Sequence, residues 1–153
     1  MEEIIVYSPQ SGTAVPISEV PDQTFSDKIL GDGIAIQPSS PLVVAPVSGI
    51  ITSIADTYHA VCIEGENGEE VLVHLGIDTV QLKGKGFTCY VEEGQEIRRG
   101  DKLIKMNLKL CDRKGYSSLS PCIVVNGDSF SSLTVQTGPV EAGITPVIRL
   151  KSK

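Results

Sequence analysis

The chain is organised around the stretch Val71-Leu72-Val73-His74-Leu75-Gly76-Ile77-Asp78-Thr79-Val80. From residue 70 onward its side chains alternate, so that Leu72 and His74 share one face, which is the period of a β-strand. Gly76 permits a sharp bend, and residues 78–80 are enough for one helical turn. The pattern therefore places His74 where a strand ends and a loop begins.

The only other histidine, His59, lies fifteen residues upstream in a second strand-like run, residues 56–64. Between the two runs lies Gly65-Glu66-Asn67-Gly68, which favours a hairpin because Asn-Gly readily supplies positive φ angles. With the turn centred near residues 66 and 67, residue i opposes roughly residue 133 minus i, and His59 pairs with His74. We therefore expect both imidazoles side by side on one face of an antiparallel pair.

Two neutral imidazoles in contact can bind a metal, relay protons or carry a phosphoryl group on nitrogen. A partly buried pair that only hydrogen-bonds the backbone is the structural alternative, and the residues alone leave all of these open. A zinc peptidase would need a third ligand and a general base, but the chain has two histidines and no H-x-H motif.

The rest of the chain predicts an all-β fold. Short β-like runs separated by Gly and Pro turns prevail, helix-period patterning is scarce, and residues 20–30 are the best short helical candidate. The x-Pro-x-Ser-Gly sequence of residues 8–12 returns at residues 45–49, which suggests an internal duplication. We predict one domain, residues 1–153, built as an antiparallel β-sandwich or barrel with internal duplication and short helical turns.

A second pattern, V-x-x-G-x-x-I-x-x-G-D-x-L from Val91 to Leu103, resembles biotinyl and lipoyl carrier domains. Those carriers place a modified lysine in a tight hairpin, whereas Lys105 here lies in mid-strand, so a carrier of that kind is disfavoured. The four cysteines form no C-x-x-C pair and are expected to be free thiols. Cys111 lies in a polar stretch, which predicts that it is exposed.

Composition and net charge limit the classes of binding partner and the cellular compartment that we expect. With 41% apolar and 21% charged residues, the chain is an ordinary globular protein. Its net charge of −6 disfavours nucleic acid and favours a basic protein partner. No apolar run approaches the roughly 20 residues of a membrane helix. The start Met1-Glu2-Glu3 is unlike a secretory signal, so we expect a cytoplasmic protein.

Four segments resemble the glucose-class enzyme IIA family, the phosphocarriers of the bacterial sugar phosphotransferase system. They are VLVHLGIDTVQLKGKGF (71–87), TYHAVCIE (57–64), KILGDGIAIQP (28–38) and VVAPVSGII (43–51). The likeness runs from about Ile5 to Leu150, in the family's order and near its spacing. It implies an antiparallel β-sandwich that accepts a phosphoryl group from the histidine phosphocarrier protein and passes it to the IIB domain of a sugar permease.

The resemblance also implies residue roles. His74 would carry phosphate on Nε2, with His59 as the transition-state donor, Thr57 orienting His59, and the Gly76 carbonyl accepting from Nδ1 of His74. The implied docking face comprises Asp22, Phe25, Ile29, Leu30, Cys62, Leu72, Asp78 and Asp128. We expect no required cofactor, although zinc bound by His59 and His74 in a complex with a regulatory target is a further expectation.

Overall fold

Residues 3–153, which the computed structural model describes, form fourteen β-strands and two short α-helices. The strands are β1 (Glu3–Tyr7), β2 (Gly12–Pro16), β3 (Asp32–Pro38), β4 (Leu42–Val44), β5 (Gly49–Ile54), β6 (Ala60–Gly65), β7 (Glu70–His74), β8 (Phe87–Cys89), β9 (Glu96–Ile97), β10 (Lys102–Met106), β11 (Ser120–Val124), β12 (Phe130–Val135), β13 (Gly138–Val140) and β14 (Pro146–Ser152). The α-helices are α1 (Gln23–Ser26) and α2 (Leu108–Arg113), and 3-10 turns lie at Ile17–Glu19, Thr79–Leu82 and Gly127–Ser129. The predicted all-β fold with short helical turns is confirmed.

The strands form one large sheet and two small ones. The eight-stranded sheet has the order β13-β2-β3-β11-β7-β6-β5-β9, and the three-stranded sheets have the orders β1-β14-β12 and β4-β10-β8. All strand pairs within residues 3–153 are antiparallel. Alternating aliphatic residues from the sheets fill the main core, and a smaller apolar cluster around Phe25 covers the other face of the large sheet. This sandwich holds β7 between two apolar layers.

The sheet orders reveal two copies of one motif, with the second inserted into the first. Strands β4 to β10 repeat, in the same order, the pairings of β1, β2, β3, β11, β12, β13 and β14. In the large sheet, β9-β5-β6-β7 thus mirrors β13-β2-β3-β11, and β7 meets β11 at the centre. The internal duplication predicted from the sequence is confirmed, but its nested order was not foreseen.

Reciprocal hydrogen bonds join the two copies at the repeated x-Pro-x-Ser-Gly segments. The Tyr7 N–H donates to the Pro46 carbonyl at 3.0 Å, and the Val44 N–H donates to the Pro9 carbonyl at 2.8 Å. The serines of the two repeated segments make equivalent hydrogen bonds: Oγ of Ser11 and Oγ of Ser48 each accept a backbone N–H at 3.0 Å. The two copies are therefore related by an approximate two-fold axis.

The hairpin between β6 and β7 forms, but its predicted register was wrong by one residue. Ala60, not His59, lies opposite His74. Gly68 adopts a φ of +85° as a third loop residue, and its N–H donates to the Gly65 carbonyl at 3.0 Å. A three-residue loop of this kind shifts the pairing by one position relative to a two-residue turn. His59 consequently precedes β6.

The prediction that Cys111 is exposed was also wrong. Its side chain is only 1% exposed, because α2 begins before the polar stretch and turns Cys111 into the core. The Asn107 side chain starts this helix by accepting the Leu110 N–H at 3.0 Å. All four cysteines are free thiols, as predicted.

Gln10 is a buried polar side chain, and its replacement tests how much an unpaired amide in the core costs in stability. It is fully buried, and neither its Oε1 nor its Nε2 has a hydrogen-bond partner within the described part of the chain. An unpaired buried amide costs about 1–3 kcal/mol, so Gln10→Leu is expected to raise the free energy of unfolding by a similar amount. Urea denaturation measures the change, with the exposed Gln136→Leu as a control. A lower unfolding midpoint for Gln10→Leu would contradict the expectation.

Candidate functional site

His74 occupies the last position of β7, on the face that the main core does not cover. Its neighbours Val71 and Val73 point into that core and are 0% and 1% exposed, whereas His74 is half-buried on the opposite face. Nδ1 of His74 lies 2.8 Å from the Gly76 carbonyl oxygen. Because a carbonyl can only accept, Nδ1 carries the proton. The lone pair of Nε2 is therefore the one left for chemistry.

The loop that supplies this carbonyl is held at both sides. Gly76 has a φ of +80°, and its N–H donates to Oγ of the buried Ser120 at 3.1 Å. The next N–H, from Ile77, donates to the Ser117 carbonyl at 2.9 Å. The sequence analysis did not single out Ser120, because it follows Ser117 and Ser118 and nothing in the sequence distinguishes it from them. These bonds fix the carbonyl that orients His74.

His59 reaches His74 from the loop before β6. The two ring centroids are 5.3 Å apart, with an edge-to-face angle of 78°. Tyr58 has a φ of +62° and turns the chain just before His59, which brings the rings together despite the shifted register. Oγ1 of Thr57 lies 2.7 Å from Nδ1 of His59. Because the Thr57 hydroxyl can donate to Nδ1, it can hold the tautomer in which Nε2–H of His59 is a donor.

Phe25 is the second aromatic ring in contact with His74. Its ring centroid is 5.0 Å from that of His74, with an interplanar angle of 57°. Phe25 lies in the connection from β2 to β3, and His59 lies in the connection from β5 to β6. These connections are equivalent in the two copies. The site is therefore built where the two halves of the duplication meet, with one ring from each half beside His74.

Both histidines are neutral at neutral pH. Burial lowers the pKa of His74 below its ordinary value, although its hydrogen bond to Gly76 and the carboxylates of Asp22 and Asp78 act in the opposite direction. Burial, followed by the proximity of His74, lowers the pKa of His59. A neutral imidazole with a free Nε2 is a competent nucleophile, and a second imidazole can donate a hydrogen bond to the group transferred.

Five of the eight predicted docking residues lie around His74. Cys62 and Leu72 are half-buried and face each other across β6 and β7, on the His74 side of the sheet. Asp22 and Asp78 are close enough to affect His74 electrostatically. Phe25 is only 4% exposed, so it packs against His74 and offers little surface to a partner.

The other three predicted docking residues lie elsewhere. Ile29, Leu30 and Asp128 line a shallow cavity of about 340 Å³ beside Val124. Val124 pairs with Val71, three positions before His74, which corresponds to roughly 10 Å along a strand. Asp128 therefore lies beside the end of β7 that is remote from His74, whereas Ile29 and Leu30 follow Phe25 by four and five residues.

The histidine pair does not form a metal centre by itself. Across residues 3–153, no group of three or more His, Cys, Asp or Glu side chains is placed to hold a metal ion. A zinc site needs four ligands, of which His59 and His74 supply two. In the same part of the chain, no helix combines the length and apolar character needed to cross a membrane.

Comparisons with known proteins identify the family to which the chain belongs. The Haemophilus influenzae protein named PTS system glucose-specific EIIA component is 45% identical over 149 residues, covering 97% of this chain and 90% of that protein. The N-acetylglucosamine-specific EIICBA component of Klebsiella pneumoniae is 43% identical over 149 residues, covering 97% of this chain and 23% of that protein. Glucose permease IIA from Mycoplasma capricolum superposes with a TM-score of 0.90 and 38% identity, covering 99% of this chain and 97% of that one. Residues 4–130 match the EIIA 1 family of the phosphoenolpyruvate-dependent sugar phosphotransferase system, and the chain belongs to that family.

Proposed function

We propose that Nε2 of His74 is the atom that carries the phosphoryl group in this phosphocarrier of the sugar phosphotransferase system. The observation that supports this proposal is the 2.8 Å hydrogen bond between Nδ1 of His74 and the Gly76 carbonyl. It commits the ring to one tautomer and turns the nucleophilic nitrogen away from the loop. Nδ1 of His59 lies instead beside the Thr57 hydroxyl, and among residues 3–153 no carbonyl partner of its ring is seen, which makes His59 the better donor and the poorer carrier.

The transfer itself is a nucleophilic displacement at phosphorus. The lone pair of His74 Nε2 forms the new P–N bond, while the P–N bond to the imidazole of the histidine phosphocarrier protein breaks and that nitrogen keeps the electron pair. Charge in the loose transition state lies on the three equatorial oxygens, so positioning and electrostatics provide the catalysis. Nε2–H of His59 donates to one of these oxygens, and Thr57 holds His59 in the donor tautomer.

The donor is the histidine phosphocarrier protein, and the acceptor is the IIB domain of a sugar permease. Relatives named EIICBA components support the IIB acceptor. The half-buried Cys62 and Leu72 offer an apolar contact beside His74, and Asp22 and Asp78 offer negative charge to a basic partner. Ile29, Leu30 and Asp128 extend the docking face at its far end. The same proposal places the protein in the cytoplasm, as expected from its sequence.

No cofactor is needed, because a phosphoryl group moves between two nitrogens without redox or metal chemistry. Zinc enters only as a regulatory ion. The Nε2 atoms of His59 and His74 would supply two ligands, and a regulatory target would supply the others.

Intact mass spectrometry tests the carrier atom. The protein is incubated with phosphoenolpyruvate, the general first enzyme of the system and the histidine phosphocarrier protein. Wild type should gain one acid-labile phosphate, about 80 Da, His74→Ala should gain none, and the control His59→Gln should still gain it. No gain in wild type would refute the carrier role, and a gain that disappears only in His59→Gln would move the phosphoryl group to His59.

A further inference from the structure

Two carboxylates lie on the segments that hold His74 in place: one precedes Phe25, whose ring centroid is 5.0 Å from that of His74, and one follows the Gly76 carbonyl that accepts from His74. Asp22 starts α1, the helix that carries Phe25, by accepting the Thr24 N–H at 2.9 Å. Asp78 follows the Gly76 loop with a φ of +62°, and its side chain does not cap the 3-10 turn that follows. The ion pairs within residues 3–153 join Lys28 to Asp32 and Arg149 to Glu3, so neither of these carboxylates is neutralised by the chain itself.

Phosphorylation of His74 makes its interaction with these carboxylates repulsive. Next to a protonated imidazole both carboxylates are favourable, because opposite charges attract, and next to a neutral imidazole they have little effect. A phosphoryl group on Nε2 adds a charge of about −1.5 to −2 near them. Each carboxylate then repels the product of the reaction. Solvent screening is incomplete between the half-buried Asp22 and His74, and it is stronger for Asp78, which is exposed.

We propose that Asp22 and Asp78 keep the phosphorylated form of His74 at high transfer potential, so that the site passes the phosphoryl group onward instead of retaining it. This inference rests on the proposed function. The bond whose free energy they raise is the P–N bond at Nε2 of His74, and repulsion is relieved when that bond breaks in favour of the next acceptor. A basic partner surface relieves it transiently in the docked complex.

A docking role for the same two residues makes a different prediction. Contacts made only in the complex change the rates of forward and reverse transfer by the same factor, and they cancel in the equilibrium constant between the free proteins. Repulsion within the free phosphorylated protein does not cancel. The equilibrium constant therefore separates the two roles, whereas a rate does not.

The experiment uses Asp22→Asn, Asp78→Asn and the double variant. Asparagine serves equally well as a helix N-cap and tolerates a positive φ, so the local structure is preserved at both positions. Transfer between the histidine phosphocarrier protein and this chain is brought to equilibrium from both directions, and both proteins are quantified by intact mass. The constant for phosphorylation of this chain should rise roughly three- to tenfold for each substitution, and the rise should shrink at high salt.

A control variant carries the same change of charge. Asp112→Asn removes a carboxylate from the exposed side of α2, outside the docking face, and should not move the equilibrium constant. The inference is overturned if Asp22→Asn and Asp78→Asn leave the constant at its wild-type value, or if Asp112→Asn raises it equally. If wild type accepts no phosphate, the proposed function fails instead, so the two failures are distinguishable.

Discussion

Replacing His59 by glutamine is expected to slow onward transfer from phosphorylated His74 about 100-fold, because a single transition-state donor is typically worth about 3 kcal/mol. Acceptance from an excess of a strong donor should still go to completion, since the nucleophile and its Gly76 partner are intact. Rapid-quench measurement of phosphate transfer to the IIB domain gives the onward rate, and intact mass gives the acceptance. Equal acceptance together with an onward rate equal to wild type would refute the donor role of His59.

Substitutions at Thr57 provide the matched control for that experiment. The Thr57 hydroxyl lies 2.7 Å from Nδ1 of His59 and is argued to act only through it. Thr57→Val keeps the shape but loses the hydroxyl, so the onward rate should fall, though less than in His59→Gln. Thr57→Ser restores the hydroxyl and should recover most of the rate. Failure of serine to recover it would reduce Thr57 to a packing role.

The second large effect is expected at Gly76. A Cβ added there would lie 2.5 Å from Cγ2 of Thr79 and 2.8 Å from the Ser117 carbonyl oxygen, on a backbone with a φ of +80°. Gly76→Ala should therefore lower the free energy of unfolding by about 3 kcal/mol, from overpacking added to backbone strain. It should also reduce phosphate acceptance, because the displaced carbonyl no longer holds the His74 tautomer. Urea denaturation and intact mass measure the two effects.

Gly115→Ala serves as a control that carries the backbone strain of a positive φ without the steric overlap expected in Gly76→Ala. Its φ of +79° nearly equals that of Gly76, but a Cβ there would meet no atom within 4 Å. Gly115→Ala should cost only the backbone term, roughly 1 kcal/mol, and should leave acceptance unchanged. A loss of stability in Gly76→Ala no larger than in Gly115→Ala would show that the loop around His74 can relax.

Local patterns were enough to predict the central elements of the site. Alternation along residues 70–74 identified β7, and Gly76 identified the bend that follows it. The hairpin was also predicted from a local pattern, but its register depended on whether Gly68 belongs to the loop or to the strand. That depends on a single φ angle, which the Asn-Gly signal does not specify. The contact between the histidine rings was thus predicted on a register that was wrong by one residue, and Tyr58 supplied the compensating turn.

Features decided by long-range packing were not predictable. The burial of Cys111 depends on how α2 packs against the sheets, and the separation of Asp128 from His74 depends on β11 running antiparallel to β7. Ser120 is adjacent to no motif in the sequence and becomes important only because it reaches Gly76 across 44 positions. The repeated x-Pro-x-Ser-Gly sequence predicted a duplication, but it did not indicate which strands pair within each copy.

The nesting of one copy inside the other favours one order of folding over the other. Strands β4 to β10 are contiguous, so that copy can complete its pairings from neighbouring segments as soon as residue 106 is available. The outer copy must wait, because β3 pairs with β11 and Glu3 of β1 pairs with Lys151 of β14. Closing such long loops slows folding. We therefore expect the half that carries both histidines to form first during synthesis, with the edge of its central strand β7 unpaired until β11 is available.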